Sequence, residues 1–149
     1  MFRNIKLHSL ALVALLSAFV LSTLSCSKEA NLRESLPGEW HYSDAASDVY
    51  IAFSADGHYE LLQKIGEGRY REYRGEWNLK KNILSGNYCE GIAWGSSYRV
   101  EIDGDTLLLS ATNGSGEKNV YRRESVPASV RESAEAAVLL FRSQAEEDV

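Results

Sequence analysis

This chain of 149 residues contains few of the residues that mark specialised classes of protein. It has only two prolines and two cysteines, and 25% of its residues are charged, which excludes a collagen-like or disordered composition and indicates one ordinary globular domain. Aspartate and glutamate outnumber lysine and arginine by 21 to 16. Because nucleic-acid binding demands clustered positive charge, we expect no nucleic-acid partner.

The motifs of common enzyme classes are missing as well. The sequence has no nucleophile elbow, no phosphate-cradling loop and no Cys–His pairing in a recognisable context, so we expect no catalytic residue and no cofactor. A hydrolase or transferase that uses Glu72 or His58 is the alternative. Beyond residue 25 only His41 and His58 remain as histidines. Their spacing from nearby aspartates matches no ligand pattern, which predicts surface histidines and no metal site.

Residues 1–25 have the layout of a secretory signal peptide. Arg3 and Lys6 precede an uncharged apolar run from Leu10 to Leu24, and this run is shorter than the roughly 20 residues that a spanning helix needs. A retained transmembrane helix is the alternative interpretation. Removal of the signal would make the chain still more acidic.

The end of the apolar run predicts a lipid anchor. Thr23-Leu24-Ser25-Cys26 resembles a bacterial lipobox, in which lipid is attached to the cysteine and the chain is cut just before it. The resemblance implies lipidation of Cys26, a lipidated tether over residues 26–36 and a location in the cell envelope, with the outer membrane favoured because Ser27 is not an aspartate. An ordinary signal peptide that passes a cysteine is the alternative. With Cys26 acylated, Cys89 has no disulfide partner and is either a small strand residue or an exposed thiol.

From residue 37 to residue 124 the sequence shows short runs of period two between turn residues, which is typical of all-β proteins. In the clearest run Tyr98, Val100 and Ile102 alternate with charged residues. The connections are too short for helical crossovers, so consecutive strands should pair antiparallel, and closure removes exposed edges. We therefore predict an eight-stranded antiparallel up-and-down β-barrel, with strands near 38–43, 48–54, 58–65, 69–79, 82–89, 95–103, 105–112 and 117–123.

After the last predicted strand the period of the pattern changes. Val130, Ala134 and Phe141 belong to an apolar stripe with spacings of three and four residues, and Ser125 and Pro127 suit the start of a helix. We predict an amphipathic helix over residues 125–143, packed on the outside of the barrel. An acidic tail, residues 144–149, follows it.

Two motifs of the predicted barrel are similar to those of lipocalins. Gly38-Glu39-Trp40 matches the G-x-W motif at the start of the lipocalin barrel, and the chain continues with a strand, Phe53-Ser54-Ala55-Asp56-Gly57 and another strand, as in lipocalin-like domains of bacterial lipoproteins. The resemblance covers roughly residues 36–123. It implies that Trp40 closes one end of the barrel and that Arg122 or Arg123, from the last strand, packs across its ring.

The aromatic residues of the predicted barrel suggest a ligand cavity. Tyrosine and tryptophan combine an apolar ring with a hydrogen-bonding tip, which suits a half-wet pocket for a small apolar or amphipathic ligand. The alternative is that these rings simply fill the barrel, whose rim or outer face would then contact an envelope partner. The pocket candidates are Tyr59, Tyr73, Trp77, Tyr88, Trp94 and Tyr98.

Overall fold

The computed structural model of the protein describes residues 27–137. Eight strands follow one another in up-and-down order, and the first also pairs with the last, which closes the barrel and confirms the predicted fold class. Helix α1, residues 27–35, precedes the barrel, and helix α2 (Ala128–Ser133) and strand β9 (Glu135–Ala136) follow it. The barrel strands are β1 (Gly38–Ser43), β2 (Ser47–Phe53), β3 (His58–Ile65), β4 (Arg71–Lys80), β5 (Ile83–Tyr88), β6 (Tyr98–Asp103), β7 (Thr106–Ala111) and β8 (Lys118–Arg123).

The strand predictions agree with the structure to within three residues at every end. Alternating burial shows why. Along β4, Gly75, Trp77 and Leu79 are buried, and the residues between them are exposed. Since successive side chains point to opposite faces of a strand, one face of each strand fills the barrel and the other meets solvent.

The lipidated tether expected over residues 26–36 is a helix for most of its length. Leu32 and Leu36 of this segment are buried in the barrel core, and the carboxylate of Glu29 accepts a hydrogen bond of 2.9 Å from the amide of Lys81 in the β4–β5 turn. The sequence does not predict this helix, because only two leucines, four residues apart, form its buried face and the rest of the segment is polar. Helix α1 thus closes one end of the barrel.

Trp40 lies fully buried at this closed end. Its indole nitrogen donates a hydrogen bond of 2.9 Å to the carbonyl of Leu36. The guanidinium carbon of Arg123 lies 4.1 Å from the centre of the ring, and Arg123 also donates to the carbonyls of Ser35 and Pro37. The cation–π contact expected at Trp40 is therefore made by Arg123.

The geometry around Trp40 explains why Arg123 and not Arg122 contacts its ring, and why residue 38 is a glycine. Arg122 alternates with Arg123 along β8 and is exposed on the outer face, so it does not reach Trp40. Gly38 has a φ of +136°, and a side chain built on it would collide with the Arg123 guanidinium. The glycine of the G-x-W motif thus supplies both a left-handed backbone and the space over the tryptophan.

The C-terminal helix is shorter than the predicted 125–143. It begins after Pro127 and not at Ser125, no side chain of the described residues caps its start by a hydrogen bond, and it ends at Ser133. The chain then becomes extended, and Glu135 and Ala136 pair parallel with the start of β4. Residues 138–143 and the acidic tail 144–149 lie outside the described residues.

Backbone hydrogen bonding explains why the helix stops. Strand β5 pairs with β4 only from Gly75 onward, which leaves the first residues of β4 with an open edge. The amide of Glu135 donates to the carbonyl of Tyr70, and the amide of Ala137 donates to that of Glu72, both at 2.9 Å. After Ser133 the backbone pairs with this edge instead of continuing the helix, which satisfies carbonyl groups at the start of β4 that β5 leaves unpaired. As predicted, α2 packs outside the barrel, where Val130 is buried against Tyr50 and Leu62.

Candidate functional site: the barrel cavity

The two ends of the barrel differ. Opposite α1, the β1–β2, β3–β4, β5–β6 and β7–β8 connections surround the open end of a cavity of about 340 Å³. Aliphatic side chains from β2, β3, β5 and β7 form part of its wall. The remaining surface is largely aromatic and is formed by Tyr42, Tyr59, Tyr88, Trp94, Tyr98 and Tyr121.

The β5–β6 connection contributes the largest ring. Residues 89–97 fold back along β5, so that the amide of Trp94 donates to the carbonyl of Gly86 at 2.9 Å. The indole nitrogen of Trp94 donates to the hydroxyl of Tyr59, also at 2.9 Å, and the two rings meet edge to face with centroids 5.1 Å apart. Gly86 has no side chain in the space that the indole occupies. The cavity wall therefore depends on a loop residue held in place by a glycine.

The structure brings four of the six predicted pocket residues together. Tyr59, Tyr88, Trp94 and Tyr98 line the cavity. Tyr73 does not line it. This ring packs against Tyr88, with centroids 5.9 Å apart, and lines a separate recess near the β3–β4 turn.

Trp77 is a core residue and not a pocket residue. Its position on β4 places it beside the β2–β3 turn at the closed end, where its indole nitrogen donates to the carbonyl of Ser54 at 3.1 Å. Its ring packs at 80° against Phe53. The alternation of β4 predicted correctly that Trp77 points inward, but alternation does not give the height of a residue along the barrel.

Two aromatic residues of the cavity were missed. Tyr42 lies two residues after Trp40 and Tyr121 two residues before Arg123, so both point inward, and their rings meet with centroids 5.6 Å apart. The same alternation that placed Trp40 inward could have identified them. The polar residues of the open end, Asp44 and Glu117, lie in turns and carry no such signal.

Asp44 is held ionised at the open end. The hydroxyl of Tyr42 donates to it at 2.6 Å, and the amides of Ala46 and Ser47 donate at 2.8 Å. These hydrogen bonds, that of Tyr42 first, lower the pKa of Asp44 to about 2. The carboxylate is therefore charged at any physiological pH.

The tyrosines of the wall are held neutral. Burial raises the pKa of Tyr59 to about 12. Burial is also the main cause of the raised pKa of Tyr98 and of Tyr121, and the carboxylate of Glu117 contributes to both shifts. The wall thus offers uncharged phenol groups as hydrogen-bonding partners.

A larger recess of about 840 Å³ lies on the outer face of the barrel, bordered by α2. Its charged side chains bind one another: Arg131 contacts Glu39 at 2.6 Å and Glu60 at 3.0 Å. Partial burial raises the pKa of Glu39, but the hydrogen bonds from Arg131 and the Val126 amide outweigh this and lower it overall. We interpret this network as the attachment of α2 to the barrel.

Both histidines contact carboxylates, and His58 is exposed whereas His41 is partly buried against Tyr50. His41 contacts Asp48 at 2.6 Å and Glu124 at 2.9 Å, and His58 contacts Asp56 at 3.2 Å. Among residues 27–137, no group of three or more potential ligands is placed to hold a metal ion.

Of the two cysteines, only Cys89 lies within the described residues. Cys89 follows β5 directly and is exposed, with a free thiol. Cys26 precedes the described residues.

Comparison with known proteins gives no family. No protein-family model matches the chain, and no curated protein matches its sequence. Within the described part of the chain, no helix has the length and apolar character needed to cross a membrane. The fold and the cavity geometry are therefore the basis of any functional proposal.

Proposed function

We propose that this protein is a lipid-anchored, lipocalin-like binding protein that holds a small apolar or amphipathic ligand inside its barrel. The observation that supports this most is the cavity of about 340 Å³ at the open end. Ligand pockets have volumes of roughly 300–1,000 Å³, so the size of this cavity suits a small molecule.

The composition of the wall favours an amphipathic ligand. Val49, Ile51 and Leu109 offer apolar contact. Tyrosine hydroxyls and the side-chain amides of Gln63 and Asn119 offer hydrogen bonds. A molecule with an apolar body and one polar end would satisfy both kinds of surface.

The proposed anchor and the barrel together define an orientation. Lipid on Cys26 would lie next to α1, at the closed end, where Glu29 binds the β4–β5 turn. The open end would then point away from the membrane. A ligand would enter from the aqueous side, with no need to pass through the bilayer.

Native mass spectrometry of the protein purified from cells, before and after organic extraction, tests ligand binding. We expect a co-purifying molecule that extraction removes. Leu61→Trp is the control, because Leu61 is a partly buried residue of the cavity wall and a larger side chain would fill the space. A wild-type barrel with the bare mass of the chain would contradict the proposal and favour a filled-barrel interaction protein.

Cell fractionation tests the anchor. Cys26→Ala should move the protein from the membrane fraction to the soluble fraction, because the acyl chains would be missing. Cys89→Ala removes the other thiol and should leave the protein in the membrane fraction. Membrane association of the Cys26→Ala variant would refute the lipobox interpretation.

A further inference from the structure

The charges of the cavity wall are all of one sign. Asp44 and Glu117 lie at the open end, and among the described residues no lysine or arginine lines the cavity. Arg69 and Arg71 line a separate recess of about 210 Å³, which shares only Gln63 with the cavity. Arg69 is moreover bound to Glu135 at 2.7 Å.

The two carboxylates are not neutralised by the described part of the protein. Neither Asp44 nor Glu117 forms a salt bridge with a residue between 27 and 137, whereas Glu39, Glu60 and Glu135 each bind an arginine. Their hydrogen-bond partners are uncharged. Glu117, for example, accepts a bond of 2.8 Å from the side-chain amide of Asn119.

The negative charge of Glu117 acts on two tyrosines of the aromatic wall. Burial raises the pKa of Tyr98, and Glu117 raises it further. Burial also raises the pKa of Tyr121 most, followed by the neighbouring Tyr98 and then by Glu117. Burial is the larger cause of both shifts, and the smaller contribution of Glu117 shows that this carboxylate lies close enough to act on both phenols.

The aromatic rings that line the cavity are a second attraction for a cation. Trp94 and Tyr98 meet with centroids 6.3 Å apart, and Tyr42 and Tyr121 line the same cavity. A cation within about 6 Å of a ring centroid is attracted by the electron density of the face, most strongly by that of tryptophan. Rings that surround a small space between carboxylates favour a positively charged occupant.

We propose that the cavity binds an organic cation, with an ammonium group near Asp44 and Glu117 and an apolar body among the aromatic rings. This inference rests on the proposed function, since it names the class of the ligand. The wall repels an organic anion, and a neutral molecule of equal size gains neither the carboxylate nor the cation–π attraction.

Calorimetric titration with three probes tests the inference. 2-Phenylethylammonium, 2-phenylethanol and phenylacetate share a phenyl ring and nearly the same size, and they differ in charge. The full chain is titrated in maltoside micelles, with protein-free micelles as the blank. We expect the cation to bind most tightly and the anion most weakly, with a preference that decreases as salt concentration rises.

Matched variants assign the preference to the carboxylates. Glu117→Gln should weaken binding of the cation by roughly two- to fivefold, as expected for an exposed charge pair, and should leave binding of the alcohol unchanged. Glu101→Gln removes the same charge from an exposed site near α1, at the closed end. This control should change the binding of none of the three probes.

Three results would overturn the inference. They are binding of the alcohol or the anion at least as tight as that of the cation, an equal effect of Glu117→Gln on all probes, and no binding of the cation at millimolar concentration. The proposed function fails as well only if native mass spectrometry also finds an empty wild-type barrel. A co-purifying neutral or anionic ligand would contradict the inference that the ligand is a cation, and it would still support the proposed binding function.

Discussion

Replacing Gly86 by alanine should displace the ring that forms one wall of the cavity. A Cβ atom built at Gly86 lies 2.5 Å from two ring carbons of Trp94 and 2.7 Å from the carbonyl oxygen of Glu76. An ordinary contact would require the indole to move by about 1 Å, since carbon atoms prefer separations near 3.5–4.0 Å. Such a shift would break the hydrogen bond of 2.9 Å between Trp94 and Tyr59.

The expected cost of Gly86→Ala follows from these contacts. Overpacking a core costs about 1–3 kcal/mol, and a lost hydrogen bond adds about 1 kcal/mol. Alanine recovers about 0.5–1 kcal/mol relative to glycine in a strand. We therefore expect the free energy of unfolding to fall by about 1–3 kcal/mol, which lowers the melting temperature by roughly 4–12 °C for a domain of this size.

Thermal unfolding followed by circular dichroism measures this change, and probe titration measures its effect on the cavity. Gly95→Ala is the control, because a Cβ atom there meets no described atom within 4 Å, and its effect should be within about 0.5 kcal/mol. A double-mutant cycle with Trp94→Leu should remove most of the cost of Gly86→Ala. If Gly86→Ala is as stable as Gly95→Ala and binds the probes as the wild type does, the account of the loop is wrong.

Three further substitutions test the closed end and the open end by chemical or thermal denaturation. Arg123→Met should lower the free energy of unfolding by about 1–3 kcal/mol, because it removes a cation–π contact and hydrogen bonds, whereas Arg122→Met should change it by less than about 0.5 kcal/mol. Leu36→Ala should cost about 2–5 kcal/mol because Leu36 is fully buried, and Asn31→Ala, on the exposed side of α1, should cost little. Asp44 has a pKa of about 2 in the folded protein against 3.8 as its ordinary value. It therefore contributes stability above about pH 4 that is lost as the pH falls towards 2, and Asp44→Asn should weaken this dependence.

Each of these predictions has an outcome that contradicts it. Equal costs for Arg122→Met and Arg123→Met would mean that the contact with Trp40 contributes nothing. If Leu36→Ala does not change the free energy of unfolding, this segment is a free tether and not part of the core. A difference between wild type and Asp44→Asn that is constant from pH 5 to pH 2 would show that the hydrogen bonds of Asp44 do not favour its charged form.

The strands could be predicted because each of them carries its own signal. In 98–103 the alternation of apolar and charged residues gives the strand and its inward face, and Asp103-Gly104 gives the turn that follows. The same local pattern fixed which residues point into the barrel, including the inward direction of Trp77 and Tyr98. Burial on one face and solvent on the other impose this pattern wherever the strand lies in the barrel.

The two short helices and the cavity could not be predicted in the same way. Helix α1 is stabilised by the burial of Leu32 and Leu36 at the closed end of the barrel. Helix α2 ends where the chain pairs with the edge of β4. Trp94 belongs to the cavity because the β5–β6 connection folds back over Gly86. Each of these outcomes is a contact between residues far apart in sequence.

The sequence by itself determined the class of the fold, the order and pairing of the eight strands and the inward face of each. It did so because turn residues and period-two alternation are local properties of the chain. Only the tertiary structure decided which end is closed, which inward rings surround a cavity and which fill the core, and that Asp44 and Glu117 stand together at the open end. The physical reason is that the height of a side chain along the barrel and the charge around it are set by strands and loops that meet only after the sheet has closed.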